Sequence, residues 1–177
     1  MKKIFVLSAM AALVLSGCSK GDYEFSTPSN QMQFVAEYPT TRATTTNFED
    51  GDVMGVYVTQ YNGNIAQPLQ ISGNYANNVK STFDGSKWVN SPAIYWADGK
   101  FDVFAYYPYT KPTSVDELTF SVALDQSTEE TAETLSGYEA SDFLWAKAAG
   151  VSQMDAVPLT FKHCLSKIVV NLIKGEE

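Results

Sequence analysis

Side chains that carry most catalytic chemistry are scarce in this 177-residue chain: it holds one histidine, His163, one arginine, Arg42, and two cysteines, Cys18 and Cys164. His163 and Cys164 are adjacent in Phe161-Lys162-His163-Cys164-Leu165. Successive side chains on a strand point to opposite faces, so the two cannot make a thiol–imidazole pair there. His163 reads instead as a packed or hydrogen-bonded residue at a strand end. One histidine and one thiol also fall short of the four ligands of a structural zinc site. Glu49, Asp50 and Asp52 bring three carboxylates together without the alternating spacing of a calcium loop. Neither a Gly-rich phosphate loop nor a Gly-x-Ser-x-Gly elbow is present. The expectation is a protein that is not an enzyme and takes no cofactor or metal. The aromatic run Phe101, Phe104, Tyr106, Tyr107 and Tyr109 suits either sugar stacking or, by alternation, two buried faces of one strand.

The chain begins with the basic Met1-Lys2-Lys3, continues through apolar residues 4–15 broken only by Ser8, and reaches Leu15-Ser16-Gly17-Cys18. That is the layout of a secretory signal peptide. The apolar run is well short of the ~20 residues a membrane-spanning helix needs. Leu-Ser-Gly-Cys resembles the bacterial lipoprotein box, which implies cleavage before Cys18, acylation of its thiol and, with Ser19 following, sorting to the outer membrane. Several acyl chains anchor stably where one is marginal. Removing the leader leaves 160 residues and changes the net charge from -8 to -10, because Lys2 and Lys3 go with it. Such a field repels phosphate backbones, so nucleic acid is not an expected partner. With Cys18 lipidated, Cys164 has no intrachain partner and reads as a small buried hydrophobe.

The elements that position these residues are short. Residues 19–30 read as a polar tether. In residues 31–38, Met32, Phe34, Ala36 and Tyr38 alternate with Gln31, Gln33, Val35 and Glu37, the period of a half-buried strand. Residues 39–46 are Thr-rich, start with a proline and contain Arg42, so an exposed linker there offers an arginine-specific protease a single cut. Further strands are expected at 53–58, 101–108, 118–124, 142–146, 157–161 and 168–173. Asn62-Gly63 and Asp84-Gly85 mark turns that need positive φ. Residues 127–138 have little to bury and read as a loop with at most one or two helical turns. About seven to nine short strands separated by Gly, Asn, Asp and Pro turns make an all-β sandwich.

Several segments taken together resemble the fimbrillin family of Bacteroidetes, the pilin-like lipoproteins of fimbriae. They are Phe48-x-x-Gly51-Asp52-x-x-Gly55-Val56-Tyr57, Tyr95-Trp96, Phe104-Ala105-Tyr106-Tyr107-Pro108-Tyr109, Ser141-Asp142-Phe143-Leu144-Trp145-Ala146 and Leu159-x-Phe161-x-His163-x-Leu165-Ser166-Lys167-Ile168-x-Val170. Their order is similar to that of the family's N-terminal domain over about residues 47–173. The resemblance implies a transthyretin-like, Greek-key β-sandwich, and an assembly mechanism. An Arg-specific protease cuts the linker after the first strand, the strand leaves, and a strand from another subunit takes its groove. Carried onto this chain, Met32, Phe34, Ala36 and Tyr38 belong to the removable strand, Arg42 is the cleavage residue and Ala43 the new N-terminus. The expected organisation is a signal peptide at 1–17, then tether, first strand and cleavable linker at 18–46, then an N-terminal sandwich domain at 47–177. The family's second domain is absent, so the chain is expected to accept a strand and not to donate one, either as a truncated pilin or as a one-domain member. The function implied is a lipid-anchored surface subunit, structural or adhesive, partnered by the outer membrane, the protease and other fimbrial subunits. The alternative is a non-polymerising, glycan-binding surface lipoprotein that uses exposed aromatic rings.

Overall fold

β-Branched and aromatic residues are concentrated at 53–60 and 101–107, the central paired segments of the computed structural model, which describes residues 30–39, 47–116, 119–129, 131 and 134–166. Eight strands follow in chain order: β1 (Phe34–Glu37), β2 (Val53–Gln60), β3 (Ala76–Phe83), β4 (Trp88–Ser91), β5 (Phe101–Tyr107), β6 (Leu144–Val151), β7 (Val157–Thr160) and β8 (Lys162–His163). One 3₁₀ turn, Glu139–Ser141, is the sole helical element among the described residues. Six strands form an antiparallel sheet in the order β4-β3-β2-β5-β6-β8, while β1 pairs in parallel with β7 as a second, smaller sheet. The fold is an all-β sandwich.

Strand periodicity decides where the core sits. Met54, Val56 and Val58 of β2, Val103, Ala105 and Tyr107 of β5, and Leu144 and Ala146 of β6 bury together with Phe34, Val157 and Leu159 of the small sheet. Each such large apolar side chain contributes on the order of 1.5–3 kcal/mol relative to exposure. The intervening residues Tyr57, Phe104 and Tyr106 form a second cluster on the outer face of the large sheet, packed under Leu69, Val115 and Phe143. Burial on both faces is why β2 and β5 read as continuous apolar runs rather than as alternation. Gly55 is required for the outer packing: it pairs with Tyr106 across the ladder, and a Cβ there would collide with the Tyr106 ring.

The turns form where the two Gly pairs mark them, with positive φ at Gly63 (+61°) and Gly85 (+82°). At the β3–β4 connection Asp84 N–H donates to Lys87 O (3.0 Å), and Asp84 Oδ1 accepts from Ser86 N (3.0 Å) and Lys87 N (2.8 Å). The positive φ falls on Gly85 at the first central position, at +82°, so the aspartate brackets the turn from outside. Asn62 and Ile65 likewise exchange bonds of 2.9 and 3.0 Å around Gly63, but this turn caps the long 61–75 connection and does not join two paired strands directly. The strand expected at 118–124 is not formed: residues 119–124 lie in no strand, and Val122 and Leu124 are exposed. Ala123 N–H bonds to Ser141 Oγ (2.8 Å) rather than to a neighbouring strand. Residues 168–173, expected as a strand, lie outside the described residues.

Candidate functional site

The segment 30–39 lies in a slot with main-chain partners on both sides. Its first half runs beside Ile94 and Trp96: Met32 N–H donates to Ile94 O and Trp96 N–H to Asn30 O, both at 2.8 Å. Its second half, β1, runs parallel to β7, where Val157 N–H donates to Gln33 O (2.8 Å) and Phe161 N–H to Glu37 O (3.1 Å). Pro158 falls between these donors, at a position whose missing N–H would face away from β1. Asn90 Nδ2 adds a bond to Met32 O (2.9 Å).

Side chains alternate as a strand demands. Met32 and Phe34 are 0% and 3% exposed, Ala36 and Tyr38 pack against the same core, and Val35 is 55% exposed. All four residues assigned to the removable strand therefore point inward, although the regular strand is shorter than the 31–38 expected. Tyr38 ends the segment in a polar latch. Its hydroxyl donates to Asp142 Oδ2 (2.9 Å), and His163 Nδ1 lies 2.7 Å from Asp142 Oδ1. The Tyr38 ring meets His163 edge-on at 6.0 Å and Phe48 at 5.1 Å. Phe48 is a hub, with edge contacts to Trp88, Tyr107 and Phe161 as well. The two flanks of the linker, Tyr38 and Phe48, thus touch. Cys18, Arg42 and Ala43 lie outside the described residues.

Other chemistry-bearing residues take structural places. His163 is a hydrogen-bonded residue at the end of β8, with Nε2 buried and unpartnered. Cys164 corrects the expectation of a buried hydrophobe: it is exposed. β8 stops at His163, so the next side chain emerges on the outer face beside Phe143 and Trp145, where no strand among the described residues covers it. Partial burial and the charge of Asp142 push its thiol upward. Asp52 accepts from Glu49 N (2.8 Å) and from Tyr107 Oη (2.7 Å), so both its oxygens serve the fold. Burial raises the Asp52 carboxyl above its ordinary value, and burial together with Asp52 pushes Tyr107 far above its own. Among the described residues no group of three or more His, Cys, Asp or Glu is placed to hold a metal.

The aromatic run divides between the two faces. Phe101 and Tyr107 enter the inner core, Phe104 and Tyr106 the outer cluster, and all four are buried. Tyr109 is half-buried, so the run presents no open stacking platform. Sequence reasoning missed the walls of the slot, Asn90, Ile94 and Asp142. Tyr95-Trp96 and Ser141-Asp142-Phe143 marked two of these places without tying them to residues 30–39, because a strand's neighbours carry no local periodic signal.

A family profile described as fimbrillin-like matches residues 41–177. No curated protein matches the sequence. Among solved structures, the chain is similar to a candidate cell adhesion protein from Bacteroides ovatus ATCC 8483, with 20% identity and a TM-score of 0.53 over 76% of this chain and 52% of that one. A candidate cell adhesion protein from Bacteroides uniformis ATCC 8492 aligns at 23% identity with a TM-score of 0.42, over 75% of this chain and 47% of that one. The first likeness is one of fold, and the chain spans about half the length of the solved structures it matches.

Proposed function

The chain belongs to the fimbrillin-like family, and from that premise we propose that it is a fimbrial or adhesive subunit of the cell surface, held in the outer membrane by lipid on Cys18, whose first strand is exchangeable. The observation that carries this reading is the slot of residues 30–39: a strand whose inward side chains fill the sandwich while its backbone pairs with β7 and with Ile94 and Trp96. The family match begins at residue 41, leaving β1 outside it. Arg42 then stands between the strand and the first anchored residue of the domain, Phe48.

Cleavage after Arg42 by an Arg-specific protease makes the strand a separate molecule without at once removing it, since Met32, Phe34 and Tyr38 stay buried or latched. Loss of covalent attachment removes the high effective concentration that keeps the strand home. A strand from another subunit then competes for the same bonds from Val157 and Phe161 and for the same side-chain pockets, the mode of β-strand addition.

The test is digestion of the purified chain with an Arg-specific protease, followed by a labelled peptide of residues 30–39. The expected result is one cut, a new N-terminus at Ala43, and slow incorporation of the peptide that the uncut Arg42→Lys variant does not show. A different N-terminus, or a cut protein that never takes up the peptide, overturns the exchange mechanism.

A further inference from the structure

The slot holds its occupant differently at its two ends. At the end beside Ile94 the side-chain contact goes to the main chain: Asn90 Nδ2 donates to Met32 O (2.9 Å), and Asn90 is itself held by the buried Ser81, whose Oγ donates to Asn90 Oδ1 (2.7 Å). Every extended peptide offers a carbonyl there, so this contact adds affinity without choosing a sequence. In strand addition the choice of sequence falls to the pockets that receive alternate side chains.

The other end reads a side chain. Asp142 follows the 3₁₀ turn at Glu139–Ser141, and its N–H closes that turn on Glu139 O (3.0 Å), which ties its backbone in place at the end of the slot. One carboxyl oxygen faces His163 Nδ1 at 2.7 Å, and the other accepts from the Tyr38 hydroxyl at 2.9 Å. Among the described residues Tyr38 is the sole donor to that second oxygen. The Asp142 side chain is only 14% exposed, and Phe48 and His163 bound the Tyr38 ring edge-on.

A carboxylate in this position loses water when an aromatic ring closes over it, and it regains a hydrogen bond only if the ring carries a donor. Phenylalanine would fill the same space and leave the oxygen covered and unpaired. Sites built to bond a hydroxyl reject the analogue that lacks it more strongly than they reject a change in apolar size. An aspartate or glutamate at the same place would meet Asp142 with like charge. We propose that Asp142 is the specificity-determining residue of the slot, selecting strands that carry a tyrosine at the position of Tyr38. This selection rests on the strand exchange proposed above and adds what the incoming strand of another subunit must contain: an extended segment whose inward side chains end in a phenolic hydroxyl.

The experiment cuts the purified chain with an Arg-specific protease and offers it equal amounts of two distinguishably labelled peptides of residues 30–39, one native and one Tyr38→Phe. The native peptide is expected to occupy about tenfold more of the slots at equilibrium, and that preference is expected to vanish in the Asp142→Ala chain. Equal entry of both peptides overturns the role of Asp142 while leaving strand exchange standing. A preference undiminished in Asp142→Ala overturns it too, by tracing the choice to the ring and not to the carboxylate. Entry of neither peptide overturns strand exchange itself, and the selection with it. Should Asp142→Ala fail to fold, a third peptide with 4-aminophenylalanine in place of Tyr38 decides on the native chain: uptake matching the native peptide supports donation to Asp142, and uptake matching the Tyr38→Phe peptide overturns it.

Discussion

β5 and β1 are both strands with buried side chains, yet they are held in opposite ways. β5 is paired along both edges, to β2 and β6, and all seven of its residues are buried. β1 has four residues, ladders with β7 alone and leaves Val35 and Glu37 to solvent. Phe34 is as well buried as the inward residues of β5, whereas Ala36 is only partly buried, so the largest side chain does not tell the two strands apart. What differs is the number of neighbours whose hydrogen bonds must break together.

Matched truncations sharpen the contrast. Leu144→Ala, at a 0% exposed position in β6, is expected to lower global stability by about 2–5 kcal/mol, read from the denaturant midpoint with an unchanged slope. Phe34→Ala removes a larger side chain, but under the exchange proposed above the strand detaches before the rest unfolds. Its global loss should therefore fall below the ~3–5 kcal/mol usual for a buried phenylalanine, while amide exchange speeds up at Val157 and Phe161, the donors to β1. A full global loss with no local change in exchange would erase the distinction between the strands.

Acid separates the two regions further, with the smallest effect. Burial pushes the Asp102 carboxyl up, but the bonds from Lys147, Gly150 and Tyr61 outweigh it and hold the group below its ordinary value. A folded-state value that is depressed means stability fully present above about pH 4 and lost as pH falls below it. Asp52 has the opposite sign: raised by burial, its contribution is full below its ordinary value and is lost as pH rises through the folded one. Denaturation midpoints between about pH 5 and about pH 2 should therefore fall in the native chain and flatten in Asp102→Asn. An undiminished acid slope in that variant would place the sensitivity elsewhere.

Much of this was legible in the residues. The alternation of Met32, Phe34, Ala36 and Tyr38 announced a strand with one buried side, and the apolar runs of β2 and β5 announced strands covered on both. Residues 118–124 carry an equally good alternation and form no strand over the part described, because a strand needs a partner edge and period 2 does not report whether one lies alongside. Cys164 follows the same logic: its apolar context suggested burial, but where β8 ends is a matter of pairing with β6 over two residues. The slot around residues 30–39 was half visible, since its occupant is periodic and its walls, from Asn90 to Asp142, are scattered along the chain.

The sequence alone determined which segments can be strands, where glycines must turn the chain, which side chains of residues 31–38 face inward, and that a single arginine follows them. Those are local properties, written in period 2, in backbone sterics and in composition. Only the tertiary structure decided that β1 runs parallel to β7, that Tyr38 and Phe48 close the linker's two ends against each other, and that Asp142 meets the Tyr38 hydroxyl. Each of these depends on groups tens of residues apart meeting in one place, and their juxtaposition follows from how the two sheets pack.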